Sequence, residues 1–230
     1  QENIATTLKQ AIDSDQLAQA YLFCGPRGVG KTSTARLFAK AINLKHDSEL
    51  TDFSYNIYEL DAASNNQVDD IRNLNDQVRI PPQTGKYKVY IIDEVHMLSQ
   101  SAFNAFLKTL EEPPAHAVFV LATTEKHKII PTILSRCQIF DFSRISVKDI
   151  GGHLLDIAQK EKVEAEPEAL HMIATKADGA LRDALSVFDQ MVTFSGNKIT
   201  YKDVINNLHI LDYDYFFKFI DFADKEDIPS

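Results

Sequence analysis

The sequence predicts an α/β fold, with a parallel five-stranded sheet covered by helices on both faces and a smaller, all-helical domain after it. Over residues 1–144, short and continuously apolar segments alternate with segments whose apolar residues have helical spacing. Such alternation is typical of a parallel sheet whose strands are buried on both faces. After Arg144 only helical spacing recurs. We therefore expect no strand in the second domain, which we place at residues 145–210.

The strands are expected where the sequence is most continuously apolar, and the clearest case is the stretch VYII at residues 89–92. Prolines at 81–82 and at 113–114 separate this strand from its neighbours, because proline interrupts regular structure. The expected strands are residues 20–24, 57–61, 88–93, 118–122 and 138–142.

The helices are expected where apolar residues recur at helical spacing, as at Val68, Ile71, Leu74 and Val78. Ser99 is the expected N-cap of a later helix, which the prolines at 113–114 end. The first domain is expected to have helices at residues 4–14, 31–42, 68–78 and 99–112. The second is expected to have helices at residues 147–161, 167–177, 181–194 and 201–208.

Composition and charge narrow the class of protein. Of the 230 residues, 44% are hydrophobic and 25% charged, as in globular domains, and no apolar run approaches the length of a membrane span. No signal-peptide pattern opens the chain. The formal net charge of −9 argues against a general basic surface for nucleic acid, so any DNA contact is expected through a local patch or helix N-termini. Cys24 and Cys137 lie in apolar segments, which favours reduced thiols and a cytoplasmic protein.

The chain begins at Gln1 rather than Met and ends just after a segment, residues 212–224, that is expected to be helical with a wide apolar face. A face of that width usually packs against something. We therefore expect an excised fragment, with residues 211–230 as the start of a truncated third domain.

The most informative motif is a phosphate-binding loop of the form G-x-x-x-x-G-K-T at residues 25–32, between an expected strand and an expected helix. Its glycines let backbone N–H groups turn inward around anionic oxygens, and the helix that follows directs its positive end at them. Lys31 is expected to reach the β- and γ-phosphates, and the Thr32 hydroxyl to hold Mg²⁺. The expected nucleotide-binding residues are Gly25, Pro26, Arg27, Gly28, Val29, Gly30, Lys31, Thr32 and Ser33.

A second motif is the acidic pair Asp93-Glu94 at the end of an apolar strand. Ligands of parallel sheets lie at the carboxyl ends of the strands, so this pair and the glycine loop are expected to meet there. Asp93 is expected to hold Mg²⁺, directly or through water, and Glu94 to orient and polarise the attacking water. His96 follows in the same segment, where a helix-capping or buried polar role is at least as plausible as a functional one.

Polar residues outside these motifs complete the candidate site. At the end of the next strand Thr124, with Thr123 as second choice, is expected to bond the γ-phosphate or its water; an ordinary strand-end threonine is the alternative. Arg136, on an exposed turn, is expected to reach the γ-phosphate of a neighbouring subunit; a solvated surface arginine is the alternative. Arg182 opens a helix of the second domain and is expected to report hydrolysis; an ordinary helix salt bridge is the alternative.

Taken together, these motifs resemble those of the clamp-loader AAA+ ATPases, and more closely the gamma/tau subunits of bacterial DNA polymerase III. The resemblance covers nearly all of the chain. The segments that carry it are the loop at 25–32, DEVH at 93–96, FNAFLKTLEEPP at 103–114, LATT at 121–124, SRC at 135–137 and GALRD at 179–183.

The resemblance implies an ATP-driven subunit that helps to open a ring-shaped sliding clamp and place it on primer–template DNA. It implies that Lys31 and Thr32 are the Walker A pair, that Asp93 and Glu94 are the Walker B pair, and that Thr124 is sensor 1. It also implies that Arg136 is an arginine finger acting in trans and Arg182 is sensor 2, that ATP and Mg²⁺ are used, and that the partners are other subunits of a hetero-oligomer, expected to be a pentamer. The helix at 99–112 and its neighbours would face the clamp or the DNA.

The chain departs from the family pattern in three places. Members usually carry a four-cysteine zinc module after the first loop helix, but residues 43–55 contain no cysteine, so no structural zinc is inferred. The segment that seats adenine would precede Gln1, and the third, collar domain would follow residue 211. For DNA contact the resemblance points to residues 64–67 before a helix start, where this chain has amides rather than basic side chains; a simple N-cap loop is the alternative.

Other functions would require features that differ from those of the motor subunit. A non-catalytic scaffold subunit of the same assembly would lose the phosphate loop, which is intact here. A helicase or branch-migration motor would need pore loops or strand-separating inserts, and none is visible. An archaeal-type clamp-loader small subunit shares the SRC motif, but DAASN at 61–65 and DEVH favour the bacterial form. No nucleotidyl-transfer site is visible, so a DNA-directed DNA polymerase label would belong to the holoenzyme.

Overall fold

The computed structural model describes residues 2–46 and 52–208, and the chain divides into two compact units between Arg144 and Ile145. The expected helix at 212–224, and with it the proposed third domain at 211–230, lies outside the described residues. None of the helices in the described part of the chain is long and apolar enough to cross a membrane.

The first unit is built on a five-stranded parallel sheet in the order β2-β3-β4-β1-β5, which confirms the predicted α/β fold. Its strands are β1 Ala20–Cys24, β2 Ile57–Asp61, β3 Lys88–Asp93, β4 Ala117–Thr123 and β5 Gln138–Asp141. Its helices are α1 Glu2–Asp13, α2 Lys31–Leu44, α3 Val68–Val78, α4 Gln100–Glu111 and the single turn α5 Pro131–Leu134. Two 3₁₀ turns, Val95–Met97 and Lys126–Lys128, follow β3 and β4.

Apolar layers cover both faces of this sheet. On one face α3 and α4 pack over Tyr90 and Phe119, whose rings stack with centroids 5.6 Å apart. On the other face α1 and α2 pack over Tyr21 and Phe23, and Phe38 of α2 meets the Tyr21 ring edge-on at 4.9 Å. Burying each such side chain contributes about 1.5–3 kcal/mol. The carboxyl ends of β1, β3 and β4 are thus held side by side in a rigid core.

The ends of the elements follow local chemistry. Ser99 caps α4 as expected, because its Oγ accepts a hydrogen bond from the backbone N of Ala102 at 3.2 Å. Strand β4 extends one residue further than expected at each end, and its last residue, Thr123, is fully buried. Because a threonine gives no apolar signal, the expected strand ended one residue early at its carboxyl end.

The second unit is mainly helical, as expected. It contains α6 Val147–Glu161, α7 Pro167–Lys176, α8 Leu181–Ser195 and α9 Tyr201–Asn207, which pack around a core that includes Leu154, Phe188 and Met191. The expectation that this region has no strand is wrong in detail, because β6 Glu164–Ala165 and β7 Lys198–Ile199 pair in parallel. Strands of two residues are too short to produce a recognisable alternation.

Candidate nucleotide-binding site

The glycine loop joins β1 to α2, and its start is locked to neighbouring strands. Gly25 N donates a hydrogen bond to Thr123 O at 3.2 Å, and Phe142 N donates to Cys24 O at 2.7 Å. Gly25 has φ +148°, and a Cβ at this position would lie 2.3 Å from Phe142 O. Only glycine fits here, since any side chain would collide with backbone that cannot move away cheaply.

Lys31 is the first residue of α2, and its side chain curls back over the loop. Its Nζ donates hydrogen bonds to Gly25 O and Pro26 O, both at 2.8 Å, and the residue is only 6% exposed. The residue before it, Gly30, has φ +99° and starts the helix without a side chain that could cap the first N–H groups. The ammonium and the positive end of α2 therefore converge on the loop, an arrangement suited to phosphate oxygens.

Asp93 is held at both carboxylate oxygens. The Thr32 hydroxyl donates to Asp93 Oδ2 at 2.6 Å, and the backbone N of Glu94 donates to Oδ1 at 2.9 Å. The structure thus brings together two residues that are far apart in sequence. A hydroxyl beside a carboxylate is a hard oxygen set of the kind Mg²⁺ binds, usually together with substrate phosphates. Thr32 and Asp93 therefore fit the magnesium site expected of them.

Glu94 has an unusual backbone and a well-defined side-chain partner. Its φ of 47° and ψ of 43° lie in the left-handed region, which is costly for a residue with a side chain and is typical of functional sites. Its Oε2 accepts hydrogen bonds from Thr124 Oγ1 at 3.1 Å and Thr124 N at 3.4 Å. The side chain is about one-third exposed, so water can reach it.

Of the two candidate threonines after β4, Thr124 adjoins the acidic pair. Its hydroxyl bonds Glu94, whereas Thr123 is fully buried. Thr123 Oγ1 accepts a hydrogen bond from Glu125 N at 3.0 Å and lies 3.0 Å from His96 Nδ1. This geometry favours the first of the two sequence-based choices, and the role expected of Thr124 stays a prediction.

Sequence reasoning left His96 undecided and missed Glu125, yet both join this network. The His96 side chain is 6% exposed, with Nδ1 3.4 Å from Glu94 Oε2 and Nε2 3.2 Å from Glu125 Oε1. For Glu125 the sequence offered one signal, which is an acidic residue directly after Thr123 and Thr124 at the end of β4. That signal is weak, because such residues also end strands by chance.

An open pocket of about 610 Å³ adjoins the glycine loop. Its volume lies in the range of small-molecule sites. Its lining includes Cys24, Gly25, Pro26, Thr124, Lys126, His127, Leu134 and Asp141. Burial, reinforced by the charge of Asp141, raises the pKa of the Cys24 thiol to about 11, so this thiol stays protonated near neutral pH and is no nucleophile.

The two candidate arginines lie apart from this cluster or outside its unit. Arg136, on the turn between α5 and β5, donates from Nη2 to Glu111 Oε1 at 2.8 Å and from Nη1 to Thr132 O at 2.7 Å. Its side chain is about one-third exposed. Arg182 is the second residue of α8 in the second unit and is exposed. The roles expected of both arginines remain predictions.

The loop expected to meet DNA resembles a capped helix start. The backbone N of Gln67 donates to Asp70 Oδ2 at 3.0 Å, and α3 carries Asp69 and Asp70 in its first turn. Two carboxylates there offset the positive end of the helix and disfavour a phosphate.

Among residues 2–46 and 52–208, no group of three or more His, Cys, Asp or Glu side chains is arranged to hold a metal ion.

Comparison with known proteins adds evidence independent of this geometry. Residues 1–146 match a family model described as "DNA polymerase III, delta subunit", and residues 149–197 match one described as "DNA polymerase III clamp loader subunit, ATPase lid domain". The chain is 50% identical over 218 residues to DNA polymerase III subunit tau of Bacillus subtilis strain 168, covering 89% of this chain and 39% of that protein. It is 43% identical over 227 residues to subunit tau of Escherichia coli strain K12, covering 93% of this chain and 35% of that protein. The chain therefore spans well under half the length of these relatives.

Solved structures with the same fold include the RuvB Holliday junction branch migration motor of Thermotoga maritima. The TM-score is 0.70 at 22% sequence identity, covering 92% of this chain and 69% of that one. A likeness at this identity shows a shared fold and nothing about the substrate.

Proposed function

This chain belongs to the family of DNA polymerase III clamp-loader subunits, and from that premise we propose that it is the ATP-binding and ATP-hydrolysing part of a motor subunit that loads the sliding clamp on primed DNA. The reaction is hydrolysis of ATP by water to ADP and phosphate. The observation that carries the proposal is the hydrogen-bonded cluster of Thr32, Asp93, Glu94 and Thr124 beside the glycine loop.

Each member of this cluster has a chemical task in the proposal. Lys31 and the loop amides hold the β- and γ-phosphates, since the ammonium is already within the curve of the loop. Thr32 and Asp93 hold Mg²⁺, which when bound neutralises charge on the phosphate oxygens. Glu94 orients a water toward the γ-phosphorus and receives its proton as the bond to the ADP oxygen breaks. Thr124 donates to the γ-phosphate or to that water.

Two arginines have further roles in this proposal, because their positive charges would act on the nucleotide. Arg136 acts in trans on the γ-phosphate of a neighbouring subunit, as arginine fingers do in other nucleotide hydrolases. Arg182 acts on the nucleotide from the lid domain and couples hydrolysis to its movement. The surface position of Arg136 supports a role outside its own subunit, because its guanidinium is held only by groups at the surface.

A non-catalytic scaffold subunit of the same assembly is the second candidate, because both matching family models describe subunits of DNA polymerase III without separating a catalytic from a scaffold role. What favours catalysis is the complete cluster: a scaffold has no need of a strained Glu94 bonded to Thr124 or of a buried Lys31. The third candidate is a helicase or branch-migration motor, as RuvB is described.

We further propose that the partners are the other loader subunits, expected to form a pentamer, together with the clamp and primer–template DNA. We also propose that the protein is cytoplasmic and associated with the replisome.

The decisive experiment measures phosphate release from ATP by the full-length protein assembled with its partner subunits. We expect strong stimulation when sliding clamp and primed DNA are added together, and weak stimulation by either alone. A matched control carries Glu94→Gln, which keeps the shape of the side chain but cannot accept the proton. Hydrolysis indifferent to the clamp but stimulated by branched DNA would identify a branch-migration motor. Absence of hydrolysis in all conditions would identify a scaffold.

A further inference from the structure

His96 sits at the junction of the two strand ends that carry the acidic pair and the threonines. It lies in the 3₁₀ turn Val95–Met97 directly after Glu94, and its side chain is 6% exposed. Its Nδ1 lies 3.0 Å from Thr123 Oγ1 and 3.4 Å from Glu94 Oε2. Its Nε2 lies 3.2 Å from Glu125 Oε1. One nearly buried ring thus touches the end of β3 and the end of β4.

Contact of the ring with Glu94 depends on a proton at Nδ1, because two acceptors cannot share a hydrogen bond. With the single ring proton on Nε2, that N–H faces Glu125 Oε1 at 3.2 Å, and Nδ1 accepts the hydroxyl proton of Thr123, whose oxygen already accepts from Glu125 N. With two ring protons, Nδ1–H can also donate toward Glu94 Oε2. In both states the ring lies between Thr123 and Glu125 with its Nδ1 edge toward Glu94, and a proton on Nδ1 lets that edge donate to the carboxylate.

Glu125 is itself anchored. Lys128 Nζ donates to Glu125 Oε1 at 2.9 Å, and His127 Nε2 lies 3.6 Å from Oε2. The hydrogen bond from Lys128 keeps the pKa of Glu125 below its ordinary value, so the carboxylate stays charged as the acceptor of His96. The groups that face the ring are therefore two carboxylates, one of them fixed by a neighbouring ammonium.

We propose that His96 is a positioning residue that fixes the direction of the Glu94 carboxylate by linking it to Thr123 and Glu125. The inference rests on the proposed role of Glu94 as the group that activates water. Glu94 is bonded through one oxygen to Thr124, so a second contact on that oxygen from the ring edge limits how far the carboxylate can rotate. A base displaced by about 1 Å can lose about 10²-fold in rate, which makes such a constraint valuable.

The test uses His96→Ala, His96→Asn and Met97→Ala in the full-length protein within its assembled complex. Met97 is the next residue of the same turn and its side chain points to solvent, so Met97→Ala controls for disturbance of the turn. We expect His96→Ala to lower kcat for ATP about 10- to 100-fold, with the KM for ATP and binding of a fluorescent ATP analogue changed less than about twofold. His96→Asn places an amide near Nδ1 and is expected to recover most of the rate. Met97→Ala is expected to match the unsubstituted protein.

The outcomes separate this inference from the function it rests on. If Glu94→Gln abolishes hydrolysis while His96→Ala leaves kcat unchanged, the positioning role is wrong and the proposed function stands. If Glu94→Gln leaves hydrolysis intact, the proposed function is wrong whatever His96 does. If His96→Ala and His96→Asn lose rate equally and both lower the melting temperature, His96 is only a packing residue. A second variant, Glu125→Gln, keeps an acceptor for Nε2 and is expected to show a smaller loss of kcat than His96→Ala.

Discussion

The glycine loop with its acidic pair and the turn that carries Arg136 are built in opposite ways. In the first region each side chain that is expected to act has a partner within the same unit: Lys31 on loop carbonyls, Thr32 on Asp93, and Glu94 on Thr124. In the second, the Arg136 guanidinium is held at the surface by Glu111 and by the backbone carbonyl of Thr132. Folding alone therefore organises the first region. In the second region, the Arg136 guanidinium can leave its partners because they lie at the surface.

Energetics accounts for the difference. An ammonium as buried as that of Lys31 must be compensated by oxygens, because an unpaired buried charge costs several kcal/mol. Such a group cannot change partners unless a better anion takes the place of the carbonyls. The pair of Arg136 with Glu111 is one-third and one-half exposed, and exposed pairs contribute about 0–1 kcal/mol. Separating the Arg136 guanidinium from Glu111 therefore costs little free energy.

The largest expected effect comes from Lys31→Ala, which breaks the region that folding organises. We expect hydrolysis to become undetectable in the assembled complex, because the loop loses the ammonium held within its curve. Lys40→Ala, on the exposed side of the same helix, is the control and is expected to hydrolyse ATP normally. Phosphate release and equilibrium binding of ATP measure the difference. Normal hydrolysis by the Lys31→Ala variant would mean that the phosphates bind away from this loop.

The second effect comes from Arg136→Ala and depends on the neighbouring subunit. In the assembled complex we expect hydrolysis to fall by about 10³-fold, the lower end of the range for arginine fingers, with ATP binding preserved. The isolated subunit should show no change from its low basal rate. An equal loss in the isolated subunit would mean that Arg136 acts in cis and that the contrast between the two regions is wrong.

The same contrast explains what could be predicted from the sequence. Residues 25–32 and the pair Asp93-Glu94 could be predicted directly as site residues, because each motif is contiguous and its chemistry depends on short spacing. The alternation of apolar segments was enough to predict the parallel sheet, since every central strand is buried on both faces. These are the parts of the molecule in which local sequence and tertiary structure agree.

The remaining features depend on contacts that no short segment encodes. The link from His96 to Glu125 exists only because β3 and β4 are neighbours, so residues from two distant segments meet at one ring. The partner of Arg136 follows likewise from the packing of α4 beside α5, which brings Glu111 to the turn. The strands β6 and β7 were missed because two residues cannot show periodicity.

The smallest expected effect comes from Glu111→Gln, and it examines the second region most closely. The substitution keeps an oxygen that can accept a hydrogen bond from Arg136 but removes the negative charge. The interaction that holds the guanidinium is therefore weakened rather than lost. Since the exposed pair is worth at most about 1 kcal/mol, hydrolysis in the assembled complex should change by no more than about fivefold. An increase is expected, because less free energy is needed to withdraw Arg136 toward a neighbouring phosphate. Glu112→Gln, at the next position, controls for the loss of a carboxylate near this helix end. If Glu111→Gln instead reduced hydrolysis as much as Arg136→Ala does, Glu111 would be holding Arg136 in its working position, and the surface pair would be as organised as the loop.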